Sequence, residues 1–244
     1  SAIDSEAEFF SVPISTSAVT LALPDGHQQS HAVKFLKKAG LEIKGYRQPP
    51  TNRRPKVNLK GVNIKIIRPQ DMPLQVANGN FDLAVTGRDW LWDNYGQFYG
   101  SPVEEVADLG FGWVRIVAVV HNDVPANSTG ELRQLLRNGQ IPVLRIATEY
   151  THLADKYARD NHLSPYKVIP TWGATEAFLP EDADVLVENT ETGQTLARNN
   201  LKIIETIFES TGCLIGNSNS LSDPDLKARI DGLVGIFQKG LTVE

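Results

Sequence analysis

Hydrophobic and polar positions along the chain alternate between two periods. Val19-Thr20-Leu21-Ala22-Leu23 is an apolar run stopped by Pro24-Asp25-Gly26, the pattern of a buried strand. Directly after it, Ala32, Val33, Leu36 and Ala39 recur at helical spacing within 28–39, and Gly40 stands where a helix C-terminal glycine belongs. Further strands are predicted at 64–68, 81–85, 103–109 and 113–120, with a short helix at 70–78 closed by Gly79. Beyond Gly130 the pattern gives helix 130–138, strand 144–148, helix 152–161, strand 166–169, a helix from Ala174, strand 185–188, helix 194–199 and strand 202–208. A last helix at 223–239 carries Leu226, Ile230, Leu233, Val234, Ile236 and Phe237. Between these elements, 49–60 is rich in Pro, Asn, Lys and Arg without periodicity and reads as a basic loop.

Strands alternating with helices predict an α/β fold with largely parallel sheets and ligands near the C-terminal ends of the strands. The expected organisation is two lobes: 16–118 plus 206–244 as a discontinuous first lobe, and 119–205 as the second. A cleft between the lobes is then the default ligand site.

Composition narrows the function classes. The chain has 244 residues, 41% of them hydrophobic, enough for one large or two small cores. Lys and Arg total 24 against 29 Asp and Glu, a formal charge of -5, so no broad cationic field for nucleic acid is expected and an anionic ligand needs a local site. The single cysteine, Cys213, rules out an internal disulfide framework and is most simply a small buried residue in an apolar strand. No run approaches the roughly 18 apolar residues of a membrane helix. The opening SAIDSEAEFF lacks the basic flank of a secretory leader, and a first residue other than Met implies a removed or trimmed start. A cytoplasmic protein is expected, without membrane or nucleic-acid partners.

The densest chemistry lies in Ala183-Asp184-Val185-Leu186-Val187-Glu188-Asn189-Thr190-Glu191-Thr192-Gly193-Gln194-Thr195-Leu196. An apolar strand flanked by two acids runs into a Thr-Gly-x-Thr turn and then a helix. This suits a phosphorylated sugar: backbone N–H groups and the hydroxyls of Thr192 and Thr195 surround a phosphate, while Asp184 and Glu188 accept hydrogen bonds from ribose hydroxyls. Gly193 lets the backbone approach the ligand closely. The alternative is that Thr192 or Thr195 merely caps a helix and the two acids flank a strand.

The loop and its sequel, ADVLVENTETGQTLARNNL followed by IFESTGCLI, resemble the phosphoribosyl-diphosphate loop of the ATP phosphoribosyltransferase family. The likeness continues in Gly79-Asn80-Phe81-Asp82-Leu83-Ala84-Val85-Thr86-Gly87-Arg88-Asp89, in Asp108-Leu109-Gly110-Phe111-Gly112 with Arg115, in Arg145-Ile146-Ala147-Thr148-Glu149-Tyr150 and in Gly173-Ala174-Thr175-Glu176. It implies a two-lobed, periplasmic-binding-protein-like (type II) fold and a Mg²⁺-assisted transferase joining ATP to phosphoribosyl diphosphate in the first step of histidine biosynthesis. By position it also implies that Thr192, Gly193, Gln194 and Thr195 hold the 5-phosphate and that Asp184 and Glu188 face the ribose. Arg88 and Asp89 then line the cleft, and Gly173 to Glu176 form a wall of the second lobe. Glu188 stands where the family more often has Asp. Adenine N1 is already a nucleophile, so the chemistry chiefly asks for positive charge near the departing pyrophosphate. Arg88, Arg115, Arg53 and Arg54 are the candidates, the last two being alternatively a solvated loop pair. The sequence assigns no Mg²⁺ ligands.

The resemblance ends at the last helix, so it implies the short, catalytic-subunit form, pairing as homodimers and working with a regulatory subunit related to histidyl-tRNA synthetase. One turn departs from the family pattern. Where a Pro-Lys-Gly-Arg-like turn is usual, this chain has Pro24-Asp25-Gly26-His27. A carboxylate about 4 Å from a pyrophosphate charge repels it by about 4 kcal/mol at an effective dielectric near 20. Either Asp25 points away or helps place Mg²⁺, or the protein is a noncatalytic two-lobed binding protein sensing a phosphorylated sugar or nucleotide. His27 and His31 share a helix spacing but lack the glutamate and third ligand of a zinc site, and structural roles are expected. Trp90 and Trp92 are expected in packing or an interface. No Ser-His-Asp order, Walker loop or paired-cysteine signature is present.

Overall fold

The computed structural model describes residues 18–47 and 52–243. The acidic opening, residues 16 and 17 of the expected first lobe, and 49–51 of the expected basic loop lie outside them.

Two compact units divide the chain. The first, Ser1–Leu91 with Gly100–Gly112 and Thr211–Glu244, contains β1 (Val19–Pro24), α1 (His27–Lys38), β2 (Ile43–Lys44), β3 (Lys56–Val57), β4 (Val62–Ile67), α2 (Met72–Ala77) and β5 (Leu83–Gly87). A helix, α3 (Arg88–Gln97), begins in the first unit and ends in the second, and β6 (Val103–Asp108) belongs to the first. The second unit, Trp92–Tyr99 with Trp113–Ser210, holds β7 (Val114–His121), α4 (Thr129–Arg137), β8 (Leu144–Thr148), α5 (Thr151–Asp160), β9 (Tyr166–Pro170), β10 (Val185–Thr190), α6 (Gln194–Arg198) and β11 (Leu201–Ser210). The chain returns to the first unit for β12 (Gly212–Asn217), α7 (Ser218–Ser222) and α8 (Pro224–Thr242). The expected boundaries at 118/119 and 205/206 fall inside β7 and β11, which the second unit keeps whole.

Each unit is built on a five-stranded sheet, β4-β1-β5-β12-β6 in the first and β11-β7-β10-β8-β9 in the second. The sheets are mixed rather than largely parallel: β5, β12 and β6 pair antiparallel, as do β11, β7 and β10. The strand sequences follow from their places. β1 lies between β4 and β5, so it is buried almost throughout and its residues are nearly all apolar. β4 is an edge strand and alternates, with Val62, Ile64 and Ile66 in the core and Asn63 and Lys65 less buried. α1 sends Ala32, Phe35 and Leu36 into the same core, and α8 adds Leu226, Ile230, Leu233 and Phe237. The second unit closes Val117, Val119, Ala147, Leu186, Leu196 and Leu201 into a core beneath α6.

Three expectations are corrected. The loop at 49–60 contains a strand, β3, paired with β2. The helix expected from Ala174 is only a four-residue 3-10 turn, Thr175–Phe178, because Gly173 and Ala174 both have positive φ and Pro180 follows closely. α3 has no predicted counterpart, since Trp90, Leu91, Trp92 and Tyr95 do not fall on a single apolar stripe.

Two glycines of α8 test its packing. Gly240 lies against α1, and a Cβ there would stand 2.9 Å from the Ala39 Cβ and 3.1 Å from the Phe35 ring, whereas nothing lies within 4 Å of a Cβ at Gly232. Gly240→Ala is expected to destabilise the fold by about 1–3 kcal/mol, and Gly232→Ala to stabilise it by about 0.5–1 kcal/mol. Urea midpoints moving the same way for both would refute the close approach.

Candidate functional site

In the second unit, β8, β9 and β10 run parallel, with Pro170, Thr148 and Val187 in one row across the sheet. The residues that follow this row emerge together at the C-terminal edge, the end where open α/β sheets bind ligands. Thr148 ties the strands: its Oγ1 donates to the Val187 carbonyl at 2.7 Å and accepts from the Tyr150 N–H at 2.8 Å. The buried Tyr150 hydroxyl accepts from Asn189 Nδ2 at 2.9 Å, and the Thr171 N–H donates to the Thr148 carbonyl at 2.9 Å.

This edge brings Glu188 toward two other acids. Burial, then the charges of Glu149 and Glu176, pushes the Glu188 carboxyl up to about 7, against the opposing N–H of Asn189 and hydroxyl of Thr175. A carboxyl that titrates near neutrality both donates and accepts hydrogen bonds, as a sugar hydroxyl requires.

Beyond Glu188 the chain turns tightly. The Gly193 N–H donates to Thr190 Oγ1 at 2.9 Å and the Gln194 N–H to Thr192 Oγ1 at 3.3 Å. Gly193, at φ +79, is itself the N-cap of α6 and has no side chain to cap it, while Thr192 takes the N–H of the first helical residue. Thr192, Gln194 and Thr195 are exposed, and α6 is only five residues long, so a strong dipole is not what this end offers. Arg115 on β7 stands directly opposite Thr190 and, across its other edge, Glu209; its Nη1 donates to Thr206 Oγ1 at 3.2 Å. Register therefore places one cation beside the turn. Gly173 to Glu176 follow β9 at the same edge, with Thr171 Oγ1 and Thr175 Oγ1 2.8 Å apart and buried.

Other expected residues lie elsewhere. Asp184 precedes β10, at the opposite end of the strand and about 20 Å of extended chain from the turn. Its carboxylate accepts from the Arg145 N–H at 2.9 Å and pairs with that guanidinium at 3.2 Å. Asp184 is thus a clamp between β10 and β8, and the expected ribose contact is corrected. In the first unit, Arg88 pairs with Glu105 at 2.7 Å and lies 3.8 Å from Asp108, so two carboxylates balance its charge. Asp89 is 2% exposed, its Oδ1 only 2.0 Å from where a Gly87 Cβ would stand, so it packs inside rather than lining a surface.

The departing turn is resolved by its partner. Asp25 Oδ2 pairs with Arg53 Nη1 at 2.8 Å, and the Arg53 carbonyl accepts from the Ile66 N–H at 2.8 Å, so the carboxylate and the basic loop neutralise each other. Arg54 is exposed. Next to this pair, Gly26, His27, Ser30, Lys34 and Tyr46 border a cavity of about 540 Å³ together with Gln29, whose buried amide has no partner. The Tyr46 hydroxyl donates to the Pro24 carbonyl, and burial beside Asp25 pushes that phenol up.

Among the described residues no group of three or more His, Cys, Asp or Glu is placed to hold a metal, and no helix is long and apolar enough to cross a membrane. The parts played by Thr190 and Glu149 escape sequence reasoning; only the strand register joins them to Glu188.

Folding raises the Glu188 carboxyl from its ordinary 4.5 to about 7, so the folded chain binds that proton more tightly than the unfolded chain. Its contribution is complete below about pH 4.5 and is lost as the pH rises through 7. Glu188→Gln is expected to gain about 1–3 kcal/mol relative to the unsubstituted chain between pH 5 and pH 8, measured as urea midpoints. Equal pH slopes would refute the burial of this charge.

The family model described as HisG: ATP phosphoribosyltransferase matches residues 68–239. The ATP phosphoribosyltransferase of Pelotomaculum thermopropionicum is 33% identical over 226 residues, covering 91% of this chain and 72% of that protein. That of Chlorobium phaeovibrioides is 32% identical over 235 residues, covering 94% and 74%. Among solved structures, the ATP phosphoribosyltransferase (HisG:HisZ) complex of Thermotoga maritima aligns with TM-score 0.71 at 21% identity, over 93% of this chain and 100% of that one. The alkanesulfonate-binding protein SsuA of Xanthomonas axonopodis aligns at TM-score 0.52 and 10% identity over 93% and 74%, which marks the type II binding-protein fold alone. With a family model matching 68–239 and relatives more than 30% identical that align over at least 91% of the chain and 72% of their own length, the chain belongs to the ATP phosphoribosyltransferase family.

Proposed function

We propose that the chain catalyses its family's reaction through the C-terminal edge of β8, β9 and β10. Adenine N1 of ATP bonds to the anomeric carbon of phosphoribosyl diphosphate, the bond from that carbon to the diphosphate oxygen breaks, and pyrophosphate leaves with the electron pair. The observation that carries this reading is the convergence, within one unit, of a near-neutral, half-buried Glu188 with the Thr190 to Thr195 turn and Arg115. Glu188 holds the ribose hydroxyls, the exposed Thr192, Gln194 and Thr195 meet the 5-phosphate, and Gly193 keeps the approach open. Arg115 supplies positive charge beside the turn.

The ground for a binding-only protein was the carboxylate of Asp25. Its pairing with Arg53 removes that ground. Mg²⁺ bound through phosphates keeps most of its waters and needs only one or two carboxylates, which fits a chain without a preformed cage among its described residues. Glu149 and Glu176 are the residues that would meet it, and the ion would lend positive charge to the diphosphate. The Thermotoga relative in fold was solved as a HisG:HisZ complex. For this chain we extend the proposal to a regulatory subunit related to histidyl-tRNA synthetase, to homodimers, and to a cytoplasmic site of action.

The chain mixed with ATP, phosphoribosyl diphosphate and Mg²⁺ is expected to release pyrophosphate and form phosphoribosyl-ATP; no product even with a regulatory subunit supplied would sink the reading. Thr195→Ala is expected to raise KM for phosphoribosyl diphosphate about 10–150-fold, one charged hydrogen bond lost, while leaving the melting temperature unchanged because the side chain is exposed. Gly193→Val is expected to abolish that binding, since it adds bulk at φ +79, where a branched residue is strained. Undiminished affinity in both variants would show that the turn does not hold the phosphate.

A further inference from the structure

On the loop after β9, the same edge carries a large aromatic, Trp172, that the reaction scheme leaves unused. Trp172 is 81% exposed, and among the described residues it has no ring or hydrogen-bond partner. Trp92, by contrast, packs edge-on against Tyr95 with centroids 5.5 Å apart, and Trp113, just before β7, is 45% exposed and so less open than Trp172. Leaving an indole in water forgoes the burial that usually places this side chain inside or in an interface.

The loop that presents Trp172 is firmly built. On its N-terminal side the Thr171 N–H continues the sheet by donating to Thr148 at 2.9 Å. On its C-terminal side Gly173 has φ +95 and Ala174 φ 48, and the Thr171 and Thr175 hydroxyls close the reversal at 2.8 Å. Ala174 holds a left-handed conformation that a residue with a Cβ adopts only at a cost, and such strain is retained where the surroundings impose it.

Register gives the position. Pro170 pairs with Thr148, and Thr148 with Val187. Trp172 is therefore two residues past the row on β9, as Asn189 is on β10, and two strand spacings, about 10 Å, separate their backbones. A ribose held at Glu188 with a purine beyond it toward β9 fills that span. Glu176, whose charge acts on Glu188, follows Trp172 by four residues in the same loop.

We propose that Trp172 is the stacking platform for the adenine ring of ATP, fixing the plane of the base so that N1 addresses the anomeric carbon. This rests on the transferase reading and makes Trp172 the residue that orients the base. Stacking recognises a flat π-face and not the phosphates, so its loss falls on one substrate only.

The test is equilibrium affinity, measured calorimetrically on the full chain for ATP, inorganic tripolyphosphate and phosphoribosyl diphosphate. Trp172→Ala is expected to weaken ATP by about 5–100-fold and to leave the two base-free ligands unchanged. Trp172→Phe is expected to restore most of the ATP affinity. Wild-type ATP affinity in Trp172→Ala, or an equal loss for ATP and tripolyphosphate, would overturn the proposal. Turnover by the unsubstituted chain is a separate outcome: absence of product tells against the transferase reading, while the affinity for ATP still decides the role of Trp172.

Discussion

The register of β10 is the constraint on which the candidate site depends. Parallel pairing with β8 puts Glu188 just past the row that contains Thr148, where Glu149 and Tyr150 also emerge, and antiparallel pairing with β7 puts Thr190 opposite Arg115. A slip of one residue would turn Val185 and Val187 to the other face and dissolve this arrangement at once. The Arg145–Asp184 clamp at the far end of the strand guards against such a slip, because it joins β8 and β10 through both a backbone N–H and a guanidinium. The carboxylate that sequence reasoning assigned to the ligand thus serves it from a distance, by holding the strand that carries the rest.

Charge is distributed with the same economy. The chain carries -5 overall, yet its ligands are expected to be polyanions. Arg53, Arg88 and Arg145 are each paired with carboxylates, so little positive potential is spread over the surface. Exposed pairs of this kind contribute only about 0–1 kcal/mol to folding, and their value lies more in holding a guanidinium at a fixed place. Arg115 differs, with a threonine hydroxyl as its hydrogen-bond acceptor and the turn as its cross-strand neighbour.

The parts of the fold legible in the sequence are those whose burial is one-sided or complete. β8, with Leu144, Ile146 and Ala147 fully buried, has the predicted limits 144–148, and α8 announces itself by the spacing of Leu226, Ile230, Leu233 and Phe237. α3 stays hidden because its apolar residues do not form one stripe, and the antiparallel halves of both sheets are hidden because strand direction leaves no mark on periodicity. In the site, the turn residues were legible because glycine and hydroxyls at fixed offsets have few structural uses. The separation of Asp184 from Glu188 was not: both are acids flanking one strand, and only the extended rise of the backbone sends them to opposite ends.

If the sugar binds at Glu188, as proposed, the elevated carboxyl also makes that binding a proton-transfer event. Near pH 7 the empty site is a mixture of protonated and ionised forms. A ligand that prefers one form converts the other, and a fraction of a proton passes to or from the medium with each molecule bound. The heat measured on binding then contains the buffer's own ionisation enthalpy, so two buffers of equal pH and unequal enthalpy report different heats for one affinity. The difference counts the protons exchanged, and its sign tells whether the sugar is held by a carboxylate or by its conjugate acid.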